Sequence, residues 1–275
     1  MLDLFNLSGR AAIVTGGAGL LGAQFSHTLA QAGAKVVIAD VNPFAGEDLA
    51  HALTSEGYAA IAVQTDVTDP ESVQEMVSAA VKAFGRLDIL VNSAALDPKF
   101  DPQHAIDRSG QSGSGAFEDF PLVAWEQALA VNLTGAFLCC QAGVGPMLKQ
   151  GGGVIVNLSS IYGLAGPDQR IYQPPGQTAR YKPVYYSVTK AGILGLTRYL
   201  ATYYAGRNIR VNALTPGGVY NGHDDAFVQA YSARAVLGRM AEKDEMNGAL
   251  LFLASDASAY MTGANLVVDG GWTAW

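Results

Sequence analysis

Tyr186 and Lys190 stand four residues apart in a stretch of helical periodicity, Tyr186–Tyr204, and no other Tyr-x-x-x-Lys spacing occurs in the chain. Residues i and i+4 share a helix face, so phenol and ammonium project together. A phenol in water titrates near pH 10, too high for easy proton exchange at neutrality. A neighbouring ammonium favours the phenolate and brings that value within reach of general acid/base work. A surface helix pair would use the same two residues, so the spacing needs company. Ser159 and Ser160 directly follow the apolar run Val154–Leu158, where an open α/β sheet presents its ligand-facing strand ends. A hydroxyl there can hydrogen-bond an oxygen as charge develops on it; a helix cap or turn is the plainer use. No Asp/His arrangement accompanies the serines, which disfavours Ser-His-Asp hydrolysis. Asn132, in AVNLTG, either satisfies a cap or the core, or anchors a water that relays protons to Lys190. No metal site is expected.

A second constellation lies near the start of the chain. Thr15–Gly22 reads TGGAGLLG, directly after an apolar strand and at the opening of a helix. That is the context a dinucleotide-binding turn requires. Gly16 permits the tight turn, Gly19 lets backbone approach a pyrophosphate, and Gly22 allows close helix–strand contact. The helix N-terminus adds amide donors and a positive dipole. Asp40 closes the next strand. A carboxylate there accepts bonds from adenosine ribose hydroxyls and repels a 2′-phosphate, which favours NAD over NADP. Val41-Asn42-Pro43 offers such a phosphate nothing to hold it.

These residues need a scaffold that brings strand ends together. Short apolar runs at Ala11–Thr15, Lys35–Asp40, Ala60–Asp66, Asp88–Asn92, Val154–Leu158, Ile209–Leu214 and Asn265–Val268 alternate with helical patterns such as Leu20–Ala32 and Glu71–Phe84. Alternation of this kind means crossover connections and a parallel sheet covered on both faces. No internal repeat or linker divides the chain. Two stretches break the rhythm: polar, Gly/Ser-rich Leu96–Phe120, expected as a mobile surface loop, and Leu164–Pro183. Loops of such length in a compact domain are functional or disordered.

Composition narrows the classes. The 275 residues, 49% hydrophobic and 15% charged, fit one large α/β domain with a substantial core. The net charge of −7 argues against nucleic acid or an anionic membrane as the main partner. No apolar run of membrane-spanning length is expected, and Met1–Arg10 lacks a signal-peptide layout. The two cysteines, Cys139 and Cys140, are adjacent and cannot form an ordinary structural staple, which favours a reducing compartment. The expected location is the cytoplasm.

In order, the Gly-rich turn, Asp66-Val67, Asn92-Ser93-Ala94-Ala95, Asn132, Ser160, Tyr186-x-x-x-Lys190, Pro216-Gly217-Gly218 and Val268-Asp269-Gly270-Gly271 resemble the short-chain dehydrogenase/reductase family over nearly the whole chain. The resemblance implies a doubly wound parallel sheet of Rossmann type, a single domain over residues 1–275, and strand order 3-2-1-4-5-6-7. It implies hydride transfer between NAD and a secondary alcohol or ketone. Tyr186 would be the acid/base, with Lys190 binding the ribose and lowering the tyrosine pKa. Asn132 would complete the proton relay, and Ser160, second of its pair, would be the catalytic serine. Thr15, Gly16, Gly19, Leu20 and Leu21 would form the phosphate turn, and Asp66 and Val67 would contact adenine. Asn92 and Ala94 would line the cofactor cleft; Pro216, Gly217 and Val219 would frame the nicotinamide, ahead of a substrate loop at about 217–240. Many members are tetramers and some are dimers.

Departures from the family pattern shape the substrate expectation. Ordinary members carry TGxxxGxG, whereas Leu20 gives TGxxGxxG, the spacing of the longer sugar-nucleotide branch. The usual NNAG reads NSAA. The segment between Ser160 and Tyr186 is longer than is usual, so Leu164–Pro183 is expected over the substrate cleft. It carries Arg170, Tyr172, Gln173, Arg180 and Tyr181, equipment for a polar or anionic substrate. The stretches IYGLAGPDQRIYQ, DPKFD and GGVYNGHD are also similar to a bacterial subgroup of surface-sugar pathways, including nonulosonic-acid flagellin decoration. A sugar, sugar acid or sugar nucleotide is the substrate so implied. The alternatives are a sugar-nucleotide epimerase or dehydratase and a non-catalytic NAD(H)-sensing binding protein, since fold alone does not decide function.

Overall fold

Seven strands alternate with helices in the order the apolar runs predict. The computed structural model describes residues 2–97, 116–173 and 180–275, so most of the expected loop 96–120 and part of 164–183 lie outside the described residues. The strands are β1 (Ala11–Thr15), β2 (Lys35–Asp40), β3 (Ala60–Gln64), β4 (Ile89–Asn92), β5 (Gly153–Leu158), β6 (Ile209–Pro216) and β7 (Asn265–Val268). They form one sheet in the order β3-β2-β1-β4-β5-β6-β7, and each adjacent pair is parallel. The doubly wound expectation and its strand order hold.

Alternation along each strand feeds two cores. Ala12 and Val14 of β1 and Val36 and Ile38 of β2 pack with Phe25 and Leu29 of α1 (Leu20–Gln31), Leu53 of α2 (Pro43–Ser55) and Leu250 of α8 (Asn247–Ala254). Ile13 and Val37 face the other way. They meet Met76 and Val77 of α3 (Pro70–Phe84), Val144 and Met147 of α5 (Gly135–Gln150) and Leu200 of α6 (Val184–Tyr203). Burial on both faces is why these strands read as continuous apolar runs. Apolar area removed from water at roughly 25 cal/mol per Å² drives the assembly.

Helix starts are locally encoded. Asn42 accepts from Ala45 N at 3.3 Å and Pro43 takes the first position of α2; Asp69 accepts from Glu71 N at 3.0 Å and Pro70 opens α3. Such caps satisfy orphan amides. Helix α1 differs, for its N-cap is Gly19 and no side chain caps its first turn.

Helix α4 (Leu122–Leu129) and α5 are joined by a π-turn, Ala130–Thr134, into one column, Leu122–Gln150. The sequence predicts no membrane-length run, yet this column, with mean hydropathy 1.4 in its most apolar window, has that length and composition. Its α5 part packs on α3 and its α4 part on α6, and the buried Asn132 interrupts it. The remaining helix, α7 (Asp225–Ser232), lies beyond β6.

Candidate active site

Every strand points its C-terminal end to the same edge of the sheet, where the turns carrying Gly16, Asp66 and Ser160 follow β1, β3 and β5. After β1 the chain turns at Gly16, whose φ of +60° lies in the left-handed region that favours glycine. A Cβ on Gly16 would stand 2.8 Å from Ala94 Cα, and one on Gly22 would stand 1.9 Å from Gly16 O. Gly19 meets only Gly16 O, at 3.2 Å, so its surroundings are open. Thr15 is buried, and its hydroxyl accepts from the N–H groups of Ser93 and Ala94, each at 3.2 Å. It therefore ties the turn after β1 to the turn after β4. Asp40 Oδ2 accepts from Ala18 N and Oδ1 from Asn42 N, both at 3.0 Å. The carboxylate thus sits against the glycine turn.

A cavity of about 120 Å³ beside Asp40 is lined also by Glu47 and Gln64. A second, of about 390 Å³, is lined by Asp66, Asp69, Glu71 and Glu75 among others. Among the described residues, neither has a Lys or Arg in its wall. Asp66 follows β3, which ends at Gln64 rather than running to residue 66, and its Oδ1 accepts from Thr68 N at 2.9 Å and Thr68 Oγ1 at 2.7 Å. Val67 is buried in the second core, and the absence of a Cβ on Gly135 lets it approach. Asn92 Nδ2 donates to Asn157 Oδ1 at 2.8 Å, and Asn157 Nδ2 to Thr197 Oγ1 at 2.9 Å. Among the described residues, Asn92 Oδ1 is buried without a hydrogen-bond partner. A buried acceptor of this kind demands an occupant or a cost of about 1–3 kcal/mol. Gly217 N donates to Val268 O at 2.9 Å, Val219 bridges to Ala241, and Pro216 ends β6.

The chemistry converges at the end of β5. Ser159 Oγ donates to Lys190 O at 2.8 Å and is thereby occupied. Ser160 caps the next short turn, accepting from Tyr162 N at 3.2 Å, and its hydroxyl lies close enough to the Tyr186 phenol to favour the phenolate. Both Tyr186 and Lys190 lie on α6 as the spacing predicts. Lys190 Nζ is 5.8 Å from the Tyr186 ring centroid and donates to Leu158 O at 2.9 Å. Burial pushes the Tyr186 phenol well above its ordinary value; Asp97 pushes it further and the Ser160 hydrogen bond pulls it back. Burial lowers Lys190 to about 8, opposed by Asp97 and assisted by Lys182. Asn132 sits on the π-turn, where one extra residue per turn marks many functional sites. Its Oδ1 accepts from Leu96 N at 2.6 Å, while Nδ2 donates to Leu96 O at 3.0 Å and to Thr189 Oγ1 at 3.4 Å. Its side chain thus clamps the loop after β4.

Two charged residues to which the sequence alone gives no individual role stand at this centre. Lys182 Nζ lies 4.0 Å from the Tyr186 ring centroid and forms an ion pair with Asp97. The signal for Lys182 was available: it precedes Tyr186 by one helical turn's spacing, as Lys190 follows it. Nothing local marks Asp97. Of the long segment's candidates, Arg170 is 82% exposed and turned onto Asp168. Tyr172 is buried and donates to the Tyr162 hydroxyl at 2.9 Å; Gln173, Arg180 and Tyr181 are half-buried. Arg234 also reaches Asp168, at 2.5 Å, joining the segment to the turn after α7. Tyr162, Tyr172, Tyr231 and Trp272 form an aromatic cluster against which Tyr186 and Phe227 pack. The arrangement can bind a polar group on an otherwise aromatic wall, and it can exchange a proton at a phenol beside a hydroxyl donor.

Known proteins resemble this chain along nearly its whole length. A family model described as enoyl-(acyl carrier protein) reductase matches residues 17–273. A cis-4-hydroxycyclohexanecarboxylate dehydrogenase of Sinomonas cyclohexanicum is 38% identical over 96% of this chain and 97% of its own. D-threitol dehydrogenase of Mycolicibacterium smegmatis is 37% identical over 98% and 95%. The crystal structure of a gluconate 5-dehydrogenase from Burkholderia cenocepacia, in complex with NADP and tartrate, superposes with TM-score 0.83 at 31% identity, covering 100% of this chain and 99% of that one. Matched end to end by relatives of this kind, and folded as they are, the chain belongs to the short-chain dehydrogenase/reductase family.

Proposed function

We propose that this chain is an NAD-preferring dehydrogenase/reductase acting on a secondary alcohol/ketone pair in a small polar, hydroxyl-bearing molecule, with Tyr186 as the acid/base. The observation that carries the reading is the gathering of Ser160, Tyr186 and Lys190 at the end of β5, on the sheet edge that also carries the open glycine turn. The site fits a nicotinamide dinucleotide: the first turn of α1 has no side-chain cap, Gly19 leaves space beside it, and Asn92 keeps a buried acceptor unpartnered. Gly16, Gly19, Leu20 and Leu21 would hold its phosphates, Asp40 and Asp66 its adenosine end, and Lys190, Pro216, Gly217 and Val219 its nicotinamide riboside end. Nicotinamide, when bound, supplies the hydride acceptor or donor.

The protein's own groups manage the proton and the field. In oxidation, the Tyr186 phenolate takes the substrate hydroxyl proton; in reduction, the phenol returns it to the carbonyl oxygen. Ser160 holds that oxygen in both directions, and the Lys190 charge favours the phenolate. Desolvation alone drives the phenol the wrong way for this task, so the neighbouring cation is essential to the cycle. Asn132 holds the adjoining loop and completes the relay. NAD rather than NADP is favoured by Asp40 and by the carboxylate-lined walls around it, which would repel a 2′-phosphate. The polar substrate class is supported by relatives that act on D-threitol, hydroxycyclohexanecarboxylate and gluconate. A cytoplasmic homotetramer or homodimer belongs to the same reading, testable by light scattering.

The deciding experiment is Tyr186→Phe. Turnover should fall to background for every alcohol tested while NADH binding, followed by fluorescence titration, stays near normal. An unchanged kcat would eliminate this tyrosine as the acid/base.

A further inference from the structure

Lys182 and Asp97 are far apart in sequence and meet directly beside the Tyr186 phenol. Lys182 is buried, with 8% of its side chain exposed, and its ammonium lies on the Tyr186 ring face at 4.0 Å. Asp97, its ion-pair partner, keeps 53% of its side chain exposed. A buried ammonium costs several kcal/mol to desolvate, so its retention here calls for a role. The backbone on each side is held rigidly. Gln169 accepts from Lys182 N at 2.8 Å and donates to Lys182 O at 3.1 Å. Asn132 does the same to Leu96, the residue before Asp97, at 2.6 and 3.0 Å. Two side-chain amides thus clamp the two strands of chain that carry the pair, the preorganisation that a binding site needs.

From this placement we infer that Lys182 and Asp97 form a subsite for a second hydroxyl, vicinal to the carbon that reacts at Tyr186. The inference rests on the reading of Tyr186 as the acid/base and narrows its substrate to vicinal diols. The ammonium has N–H groups beyond the one given to Asp97, and the carboxylate has lone pairs beyond those given to Lys182. A hydroxyl beside the pair accepts from one and donates to the other. The pair is neutral overall, so a carboxylate in the same place would compete with Asp97 for Lys182 and meet its negative charge. An apolar ring would bury half of Asp97 against nothing, leaving an unpaired charge.

The test uses the full-length protein with NAD⁺ and three matched probes: the vicinal cyclohexanediol, cyclohexanol, and the vicinal hydroxycyclohexanecarboxylate. The wild-type kcat/KM should favour the diol over cyclohexanol by about ten-fold to a hundred-fold, the worth of a hydrogen bond to a charged group. Asp97→Asn and Lys182→Met should each lose about ten-fold more on the diol than on cyclohexanol. An unchanged diol-to-alcohol ratio in both variants overturns the inference. So does a wild-type preference for the hydroxy acid that Lys182→Met abolishes, which would make this an anion site. If Asp97→Asn fails to fold, Lys182→Met and the wild type decide between these outcomes. Calorimetry on the cofactor-loaded Tyr186→Phe variant separates the two claims. Tighter binding of the diol than of cyclohexanol there supports the subsite whatever happens to turnover, and equal binding rejects it. Retained turnover in that variant rejects only the acid/base assignment.

Discussion

Gly19 and Gly22 lie three residues apart in the same turn, yet the structure assigns them different burdens. A methyl on Gly22 would be 1.9 Å from Gly16 O, 2.8 Å from Gly16 C and 3.0 Å from Gly17 Cα. All three neighbours are backbone, so relief requires α1 to move away from the turn by about 1 Å. Overpacking of this severity falls at the upper end of the usual range, about 3 kcal/mol. For a chain of this size that lowers Tm by roughly 6–12 °C. Gly19 has φ −74° and only one neighbour, at 3.2 Å, so Gly19→Ala costs little beyond a poorer N-cap, about 1 kcal/mol or less. On the proposed function, its methyl would instead stand in the space a dinucleotide pyrophosphate takes. Gly22→Ala should therefore melt early in the absence of cofactor. Gly19→Ala should melt within about 2–4 °C of wild type and bind NADH at least about ten-fold more weakly. Differential scanning fluorimetry and NADH fluorescence titration read the two effects separately. A Gly22→Ala protein as stable as wild type, or a Gly19→Ala protein with wild-type affinity, would refute the division of labour.

Asp40→Ser should relax cofactor choice, raising kcat/KM with NADP⁺ relative to NAD⁺ by about ten-fold; a wild type that already prefers NADP⁺ would reverse the assignment. Ser160→Ala should lower kcat/KM by about 10²–10³ with Tm little changed. Ser159→Ala should do the opposite, losing about 0.5–1.5 kcal/mol of stability because the buried hydrogen bond from its hydroxyl to Lys190 O is removed while the helix amide remains. Lys190 gives a pH signature. Its folded pKa is lowered to about 8 from 10.5, so between those values the unfolded chain binds the extra proton and stability rises with pH, by about 3 kcal/mol across the window. Urea midpoints of wild type and Lys190→Met should diverge over that interval, and parallel curves would show that burial has not displaced this lysine.

What the chain makes legible follows from the range of each interaction. Strand runs such as KVVIAD are local and stand where the pattern puts them, and caps such as Asn42-Pro43 and Asp69-Pro70 are local too. Tyr186 and Lys190 are legible because one helix fixes their spacing. The choice between Ser159 and Ser160 is not local: only the fold shows that the first hydroxyl is spent on Lys190 O. Asp97 and Lys182 are separated by 85 positions, and no periodicity links them. A lysine reads as a surface residue until packing shows it buried. The link from Asn92 through Asn157 to Thr197 likewise joins three elements, and its members look like ordinary polar residues in isolation. Arg170 misled for the converse reason, since a nearby Asp168 captures it and turns it outward.

The widened turn at Ala130–Thr134 makes the column from Leu122 to Gln150 unusually sensitive to length. One surplus residue there shifts the phase of everything upstream by about 100° relative to a regular helix. Excising a single residue from this turn would let ordinary winding close the gap, yet it would rotate Asn132 off Leu96 and swing α4 away from its seat on α6. Single-codon deletions at this point should therefore be more harmful than most single replacements nearby.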